Sequence, residues 1–336
     1  MPMKISILDQ APISEGSTGA DALRHSLELA VLAEKLGYTR YWVAEHHGTP
    51  MLACASPEVL IAAIGAATKH IRIGSGGVML PHYSPLKVAE TFSILSALYP
   101  DHVDLGVGRA PGTDPSTAFA LQRDRRQPAP DDFPQQLGEL LAYVENKMPA
   151  GHPFARLAAL PGGTHVPEVW LLGSSAQSAL WAADIGLPYC FADFINPDGA
   201  SYSRIYRERF SPSDTLAAPR VVVACFAVCA ATDEEAQRIA SSARMTRALM
   251  NEGKLLRVPP VERALQFLAE RGPNADTVNR PRRAIVGAPE TVKQGIEKLA
   301  ELYQAQEVMI LTTTFEHAAR LRSYELIADI FQAIPA

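Results

Sequence analysis

Eight short apolar segments, each followed by a stretch with helical character, recur along the chain and constrain its fold more than any other feature. Most of these segments are apolar without polar alternation, which indicates strands that are buried on both faces. Strands that alternate with helices form parallel βα units. The simplest architecture for eight such units is a closed (β/α)8 TIM barrel, and a doubly wound open sheet is the alternative. The predicted strands are residues 4–8, 41–44, 71–74, 102–107, 168–172, 188–192, 220–229 and 308–311.

Helix boundaries in the sequence support this interpretation. Ser-Pro pairs at 56–57 and 84–85 have the residue types expected at an N-cap and a first helical turn. Gly37 follows the first predicted helix, where a C-terminal glycine is expected. No long polar linker interrupts the series, so residues 1–336 are predicted to form one domain. Irregular insertions are expected near 111–167, with a loop at 111–133, and near 248–284.

Composition excludes several classes of function. The formal net charge of −5 argues against a nucleic-acid-binding protein, which would carry a basic surplus. No run approaches the ~18 apolar residues of a membrane span. The apolar stretch at the N-terminus is short and ends at Asp9, which is unlike a signal peptide. We therefore predict a cytoplasmic protein without a membrane or nucleic-acid partner. Its four cysteines are too few for a disulfide scaffold, and Cys225 and Cys229 are expected to be buried core thiols.

Candidate site residues were sought after the strands, because barrel enzymes place their chemistry at the carboxyl ends of the strands. His46 and His47 follow the second strand. Three interpretations stay open for this pair: a general base near neutral pH, a metal site, or two hydrogen-bonding loop residues. Adjacent residues on a strand point in opposite directions, so both can face one site only if the strand has ended before them.

Three further loops carry features that suit a bound cofactor. Ser75, Gly76 and Gly77 lie in a glycine-rich segment, where a flat ligand could approach the backbone closely. Arg109 lies between glycines after the fourth strand and is a candidate anion clamp. After the fifth strand, a serine-rich helix start offers free N–H groups and hydroxyls to a phosphate. Its candidate residues are Gly173, Ser174, Ser175 and Ser178. Together these loops predict a site for a phosphorylated planar cofactor and a small substrate, with no metal.

The combination of motifs resembles the bacterial luciferase-like family of flavin-dependent monooxygenases. The matching segments are residues 41–47, 73–81, 103–109, 173–183 and 286–290, which occur in the family's order. Each segment alone is weak evidence, whereas the ordered set spans nearly the whole chain. The resemblance implies a TIM barrel that uses reduced FMN, supplied by a separate flavin reductase, and dioxygen to oxidise a small organic substrate. It also implies a homodimer formed through the early helices.

The resemblance assigns roles to the candidate residues. Arg109, Ser175 and Ser178 would bind the FMN phosphate, and Gly173 and Ser174 would contribute backbone groups. Gly76 and Gly77 would form a non-prolyl cis peptide beneath the flavin ring. His46 matches the family's active-site histidine, whereas Glu45 is expected to support the fold or a subunit contact.

The sequence also departs from the luciferase subunits. Gly108 stands where they carry a reactive cysteine, so light emission is not implied. Residues 248–284 lie where the family has a mobile lid, and Arg271, Arg280, Arg282 and Arg283 in or near it are candidates for binding an anion. The alternatives to a monooxygenase are a hydride-transfer enzyme that uses reduced deazaflavin, a non-catalytic flavin-binding protein, and a metal-dependent hydrolase that uses His46 and His47.

Overall fold

The computed structural model describes residues 3–127, 130–157, 159–272 and 284–331, in which strands and helices alternate. The strands are β1 (Lys4–Asp9), β2 (Arg40–Val43), β3 (Arg72–Met79), β4 (Val103–Gly108), β5 (Glu168–Gly173), β6 (Tyr189–Ala192), β7 (Val221–Cys229), β8 (Ala284–Gly287) and β9 (Glu307–Leu311). The helices are α1 (Gly19–Lys35), α2 (Pro57–Ala67), α3 (Pro85–Leu98), α4 (Pro115–Leu121), α5 (Phe133–Val144), α6 (Ala176–Ile185), α7 (Ala200–Arg209), α8 (Asp233–Asn251), α9 (Val261–Arg271), α10 (Pro289–Tyr303) and α11 (His317–Phe331).

Eight of the strands close into a parallel barrel. β1 to β7 pair in chain order, and β9 closes the ring by pairing with both β7 and β1. Every strand pairing is parallel. The predicted (β/α)8 TIM barrel is therefore confirmed, and the open doubly wound sheet is wrong. Among the described residues, no helix is long and apolar enough to cross a membrane.

The two insertions contain more regular structure than the sequence predicts. Helix α4 forms inside the stretch 111–133 expected to be a loop, because Asp114 caps it by accepting bonds from the N–H groups of Ser116 and Thr117. Residues 248–284 contribute the end of α8, all of α9 and the start of β8. Strand β8 lies outside the barrel wall, since it pairs with Phe226–Cys229 of β7, beyond most of the residues that pair with β9. It was missed because it lies in the irregular stretch 248–284, where no regular barrel unit was expected.

Helix starts agree with the Ser-Pro pattern, although the serines act differently from the expectation. Pro57 and Pro85 begin α2 and α3, and Ser56 and Ser84 hold the N-cap positions. Neither serine side chain makes a capping hydrogen bond. Gly37 follows α1 with a φ of +75°, which is the left-handed conformation expected of a glycine after a helix.

A buried ion-pair layer fills the amino-terminal end of the barrel. Nη1 of Arg40 lies 2.6 Å from Asp104, and its Nε lies 2.7 Å from Glu307. Burial raises the pKa of Asp104, but Arg40 and Arg72 outweigh it and hold that pKa below its usual value. Above this layer, Leu8, Trp42 and Trp170 belong to an apolar cluster of interior side chains. This filling leaves the carboxyl-terminal end of the barrel as the place for a ligand.

All four cysteines are buried and free of disulfides, which confirms the expectation for Cys225 and Cys229. They are Cys54, Cys190, Cys225 and Cys229. Burial raises the pKa of Cys54 to about 12, so this thiol is held in its neutral form at physiological pH.

Candidate active site

A cavity of about 620 Å³ opens at the carboxyl-terminal end of the barrel. Because the barrel strands are parallel, the loops that follow them meet at this end. Much of the wall is apolar and includes Leu52, Phe194, Phe226, Met250 and Leu311. Polar groups enter from the loops after β1 and β2 and from α8. The size and the mainly apolar lining are typical of a small-molecule site.

His46 and His47 both line this cavity. Strand β2 ends at Val43, so the two histidines do not follow the alternation that would have pointed them in opposite directions. His46 is partly buried, and its Nδ1 is fully buried and has no hydrogen-bond partner among the described residues. Burial, and secondarily the neighbouring His47, lower the pKa of His46 to about 4. The imidazole of His46 is therefore neutral at pH 7, and burial disfavours its protonated form.

Glu45 is fully buried beneath this pair and anchors the loop. Its Oε1 lies 2.7 Å from Nε2 of His47 and accepts a hydrogen bond from the Tyr83 hydroxyl at 2.8 Å. Its Oε2 accepts the N–H of Met79 at 3.0 Å. One carboxylate thus ties the end of β2 to the end of β3, which agrees with the expected supporting role of Glu45.

The predicted glycine segment forms a tightly packed part of the barrel wall. The peptide bond between Gly76 and Gly77 is cis, and the register between β3 and β4 shifts at this point. A Cβ at Gly77 would lie 2.5 Å from Leu172 Cδ1 and 2.7 Å from the carbonyl oxygen of Gly106. The buried hydroxyl of Ser75 donates to that same oxygen at 2.8 Å. The wall is therefore free of side chains because the two strands approach too closely to admit them.

The predicted anion-binding residues lie around α6, with Arg109 against its middle and the serines at its start. The guanidinium carbon of Arg109 lies 5.5 Å from the ring centroid of Trp181, which is on α6. Arg109 is exposed beyond the end of β4. Ser175 is the N-cap of α6 and accepts the N–H of Ser178. The arginine and the helix start thus lie on the same side of the barrel mouth.

Ser178 differs from the simple picture of a free hydroxyl donor. The residue is buried, and its hydroxyl donates to the carbonyl oxygen of Ser175 at 2.9 Å and lies 2.9 Å from the hydroxyl of Tyr189. A phosphate contact through this hydroxyl would require a change of partner. Gly173 packs against the same side chain, because a Cβ there would lie 2.2 Å from Ser178 Oγ.

The loop after β6 connects the cavity to the start of α6, and sequence reasoning missed it. Phe194 and Ile195 line the cavity, and Nδ2 of the next residue, Asn196, donates to the carbonyl oxygen of Ser174 at 2.9 Å. The missed signal is the polar residue Asn196, located soon after a predicted strand. This loop shows that the cavity and the candidate phosphate site are neighbours.

Helix α8 supplies a second group of cavity residues that the sequence did not indicate. Thr246 and Arg247 line the cavity, and the guanidinium carbon of Arg247 lies 5.4 Å from the ring centroid of Phe226. The arginines that were expected to bind an anion lie further along the chain. Arg271 is instead paired with Glu252 and positioned over Phe267. Arg280, Arg282 and Arg283 lie outside the described residues.

The candidate lid covers part of the cavity. Met250, Gly253, Leu255 and Val258 line it. Val258 is tied to the loop after β1, since its N–H donates to Ile13 at 2.9 Å and its carbonyl accepts from Glu15 at 2.8 Å. The role of this segment as a lid stays a prediction.

A metal site at the histidine pair lacks a third ligand in the part of the chain that the structure describes. No group of three or more His, Cys, Asp or Glu side chains is arranged there to hold a metal ion. The carboxylate nearest to His47 is Glu45, which is occupied by Tyr83 and Met79.

The closed barrel and its cavity of convergent loops place this chain among the TIM-barrel enzymes. The sequence model of the luciferase-like monooxygenases matches residues 3–306, and the chain belongs to that family. The resemblance stated from the motifs is thereby confirmed.

Relatives with closely similar sequences extend over the whole chain. The protein YceB of Bacillus subtilis (strain 168) is 43% identical over 97% of this chain and 99% of its own length. An N-acetyl-S-alkylcysteine monooxygenase of the same organism is 37% identical over 97% of this chain and 98% of its own. Family membership together with such monooxygenase relatives identifies the chain as an enzyme of the monooxygenase class.

Solved structures show the same fold. Apo-MsnO8 superposes with a TM-score of 0.90 at 41% identity and covers 98% of both chains. The oxygenating constituent of 3,6-diketocamphane monooxygenase from Pseudomonas putida, in complex with FMN, has a TM-score of 0.73 at 20% identity and covers 98% of both chains. An F420-dependent secondary alcohol dehydrogenase with an F420–acetone adduct has a TM-score of 0.69 at 15% identity, covering 99% of this chain and all of the other. The last two support the fold alone.

Proposed function

We propose that this enzyme is an FMN-dependent two-component monooxygenase that uses reduced FMN and dioxygen to oxidise a small organic substrate. The observation that carries this proposal is the state of His46. A neutral imidazole whose buried Nδ1 has no partner among the described residues lines a largely apolar cavity of about 620 Å³. A buried polar atom without a partner is costly unless a ligand completes its hydrogen bonding.

The candidate cofactor residues fit a flavin phosphate and ring. Arg109 offers a guanidinium to the phosphate, Ser175 offers its hydroxyl at the start of α6, and Gly173 and Ser174 would contribute backbone groups just before it. Ser178 would join them by exchanging its present partners. Ser75, Gly76 and Gly77 would present a flat backbone surface to the ring, since no side chain rises from the two glycines.

Reduced FMN supplies two electrons, with which one atom of dioxygen enters the substrate and the other leaves as water. The protein's contribution is to orient, to exclude water and to manage a proton. His46 can hold a hydrogen bond to the substrate through its unpartnered Nδ1, because burial keeps this side chain neutral. The apolar wall formed by Phe194, Phe226 and Leu311 limits the access of water to the reacting groups.

The named relatives favour oxygen insertion over hydride transfer. The relative called N-acetyl-S-alkylcysteine monooxygenase resembles this chain over nearly its full length. The FMN complex of the diketocamphane enzyme and the F420-dependent dehydrogenase both have this barrel, and at 20% and 15% identity they do not separate the two cofactors. Because oxygen insertion is favoured, we propose FMN and not a deazaflavin as the cofactor. A separate flavin reductase would supply it in its reduced form.

An anaerobic titration with reduced FMN, followed by a pulse of oxygen, tests this proposal. We expect saturable binding of reduced FMN and reoxidation that is slower than that of free FMN and accelerated by a true substrate. Binding of reduced deazaflavin instead of FMN would favour hydride transfer. Tight binding of oxidised FMN would favour a flavin carrier if the protein did not change the rate at which reduced FMN is reoxidised.

We also propose a homodimer formed through α2 and α3. Three large apolar side chains on these helices are strongly exposed: Val59 at 67%, Ile94 at 48% and Leu98 at 61%. Since α2 and α3 pack beside each other, these residues offer an apolar surface to a second copy of the chain.

A further inference from the structure

We infer that the substrate of this enzyme carries an anionic group of the carboxylate type and that Arg247 binds it. The inference rests on the proposed function, because it takes the cavity beside His46 as the substrate chamber. It goes further by assigning the chemical class of the substrate and a specificity-determining residue on α8.

The position of Arg247 is the first observation. The residue is partly buried, and it lines the cavity from α8. Its guanidinium carbon lies 5.4 Å from the centroid of Phe226, which also lines the cavity at the upper part of β7. A guanidinium held against an aromatic face has fewer conformations to lose when it binds an acceptor. The contact therefore holds a positive charge at the cavity wall.

The charges around Arg247 favour an anion. Among the described residues that line the cavity, Arg247 is the single lysine or arginine. His46 contributes no charge at neutral pH, since its pKa is lowered to about 4 by burial. The carboxylate of Asp114 is exposed, and it is already bonded to Ser116 and Thr117.

The chemistry of the guanidinium allows it to serve both the protein and a ligand. It carries five N–H donors in a planar fork that matches the two oxygens of a carboxylate. One edge can therefore satisfy an acceptor of the protein while another binds the substrate. A lysine at this position would offer only a point charge.

The remaining wall indicates what the rest of the substrate is like. Phe226, Met250, Leu255, Val258 and Leu311 give the cavity an apolar lining near α8. A ligand that fills this space while pairing with Arg247 must be amphipathic. The structure thus favours a small organic acid with an alkyl, aryl or thioether body over a neutral hydrocarbon or a polyol.

Binding of matched acids and amides to the full-length chain tests the inference. Straight-chain carboxylates from butyrate to octanoate would be compared with the carboxamides of the same lengths by isothermal titration calorimetry, with and without saturating FMN. We expect at least one acid to bind roughly 10- to 100-fold more tightly than its amide, which is the range for a hydrogen-bonded charge. In Arg247→Gln this preference should disappear, and in Arg247→Lys it should be partly restored.

The acid-to-amide ratio is measured within one variant, so a general loss of stability does not imitate the expected result. Arg238→Gln is the matched control, because Arg238 lies on the same helix, pairs with Glu262 and does not line the cavity. Equal binding of acids and amides, binding of neither, or a preference that survives Arg247→Gln would overturn the inference. A failure of FMN to bind while the preference persists would instead refute the proposed cofactor and leave the anion site intact.

Discussion

Oε1 of Glu45 lies 2.7 Å from Nε2 of His47, and this contact joins a fully buried carboxylate to a histidine of the cavity wall. The same oxygen accepts the hydroxyl of Tyr83, and the other oxygen accepts the N–H of Met79. The two adjacent histidines therefore differ in their hydrogen bonding. His47 is held by a protein partner, whereas Nδ1 of His46 is left for a ligand.

Replacement of Glu45 by glutamine should destabilise the loop after β2. A carboxylate accepts all three hydrogen bonds, whereas an amide must place its NH2 group against at least one donor. We expect Glu45→Gln to lower the free energy of unfolding by about 1–3 kcal/mol, as measured by urea denaturation. Tyr83→Phe is the control, since it removes one donor and leaves the carboxylate with two, so its loss should be smaller. A Glu45→Gln variant as stable as wild type would show that the carboxylate is not the anchor.

His46 should make the stability of the protein depend on pH below neutrality. Its pKa is about 4 in the folded state, against an ordinary value of 6.5. Between these values the unfolded chain binds the proton and the native state does not, so stability rises with pH across this window. At pH 5 the native state should lose about 2 kcal/mol relative to pH 8 through this residue.

The difference between wild type and His46→Gln isolates this contribution. Other groups, including His317 with its similarly lowered pKa, titrate equally in both proteins. Urea denaturation at pH 5 and pH 8 should show a smaller change for the variant. Parallel curves for the two proteins would mean that His46 is not buried as described.

Substitution by alanine should reduce stability much more at Gly77 than at Gly108. A Cβ at Gly77 would lie 2.7 Å from the carbonyl oxygen of Gly106, a backbone atom that cannot move aside, whereas at Gly108 the nearest atom is the Met79 sulfur at 3.8 Å. We expect Gly77→Ala to cost at least ~1–3 kcal/mol of stability and to weaken flavin binding, and Gly108→Ala to change stability by less than ~1 kcal/mol. Urea denaturation and an FMN titration measure both effects. Equal behaviour of the two variants would contradict the close approach of β3 and β4.

Arg109 should distinguish FMN from riboflavin. If its guanidinium binds the phosphate, Arg109→Gln should weaken binding of reduced FMN about tenfold and leave riboflavin unaffected, since only FMN carries the phosphate. Anaerobic titrations followed by absorbance measure both affinities. Arg24→Gln, at an exposed arginine of α1, serves as the control. An equal loss for both flavins would remove Arg109 from the phosphate site.

The exposed apolar surface of α2 and α3 should control the oligomeric state. Light scattering after size-exclusion chromatography should give twice the 36.3 kDa mass of the chain for wild type. Leu98→Asp should give the single-chain mass, because a charge in an apolar interface is costly to desolvate. Leu302→Asp, at a leucine of α10 that is 48% exposed, should stay dimeric. A monomeric wild type, or a dimeric Leu98→Asp, would reject this interface.

The sequence alone was sufficient to predict the barrel, because the patterns that mark its strands and helices are local. Apolar runs such as 220–229 and helix starts such as Pro57 reveal themselves within a few residues. The glycine segment and the serine-rich start of α6 were also visible, since backbone freedom and free N–H groups depend on neighbours in the chain. Strand β8 and helix α4 were missed, because they are short and lie in irregular surroundings.

Only the tertiary structure decided how the candidate residues are used. In the fold, Glu45 is buried beneath His47, and the hydroxyls of Ser75 and Ser178 are already hydrogen bonded. Arg247 lies over Phe226 at the cavity wall. Each of these relationships except the first joins residues from different elements, and all depend on burial. The charge of a histidine and the availability of a hydroxyl depend on burial and on hydrogen-bond partners. Burial and partners cannot be predicted from the order of residues in the sequence. The sequence by itself determined the barrel and the loops that carry its chemistry, whereas packing determined which side chains in those loops remain free to act.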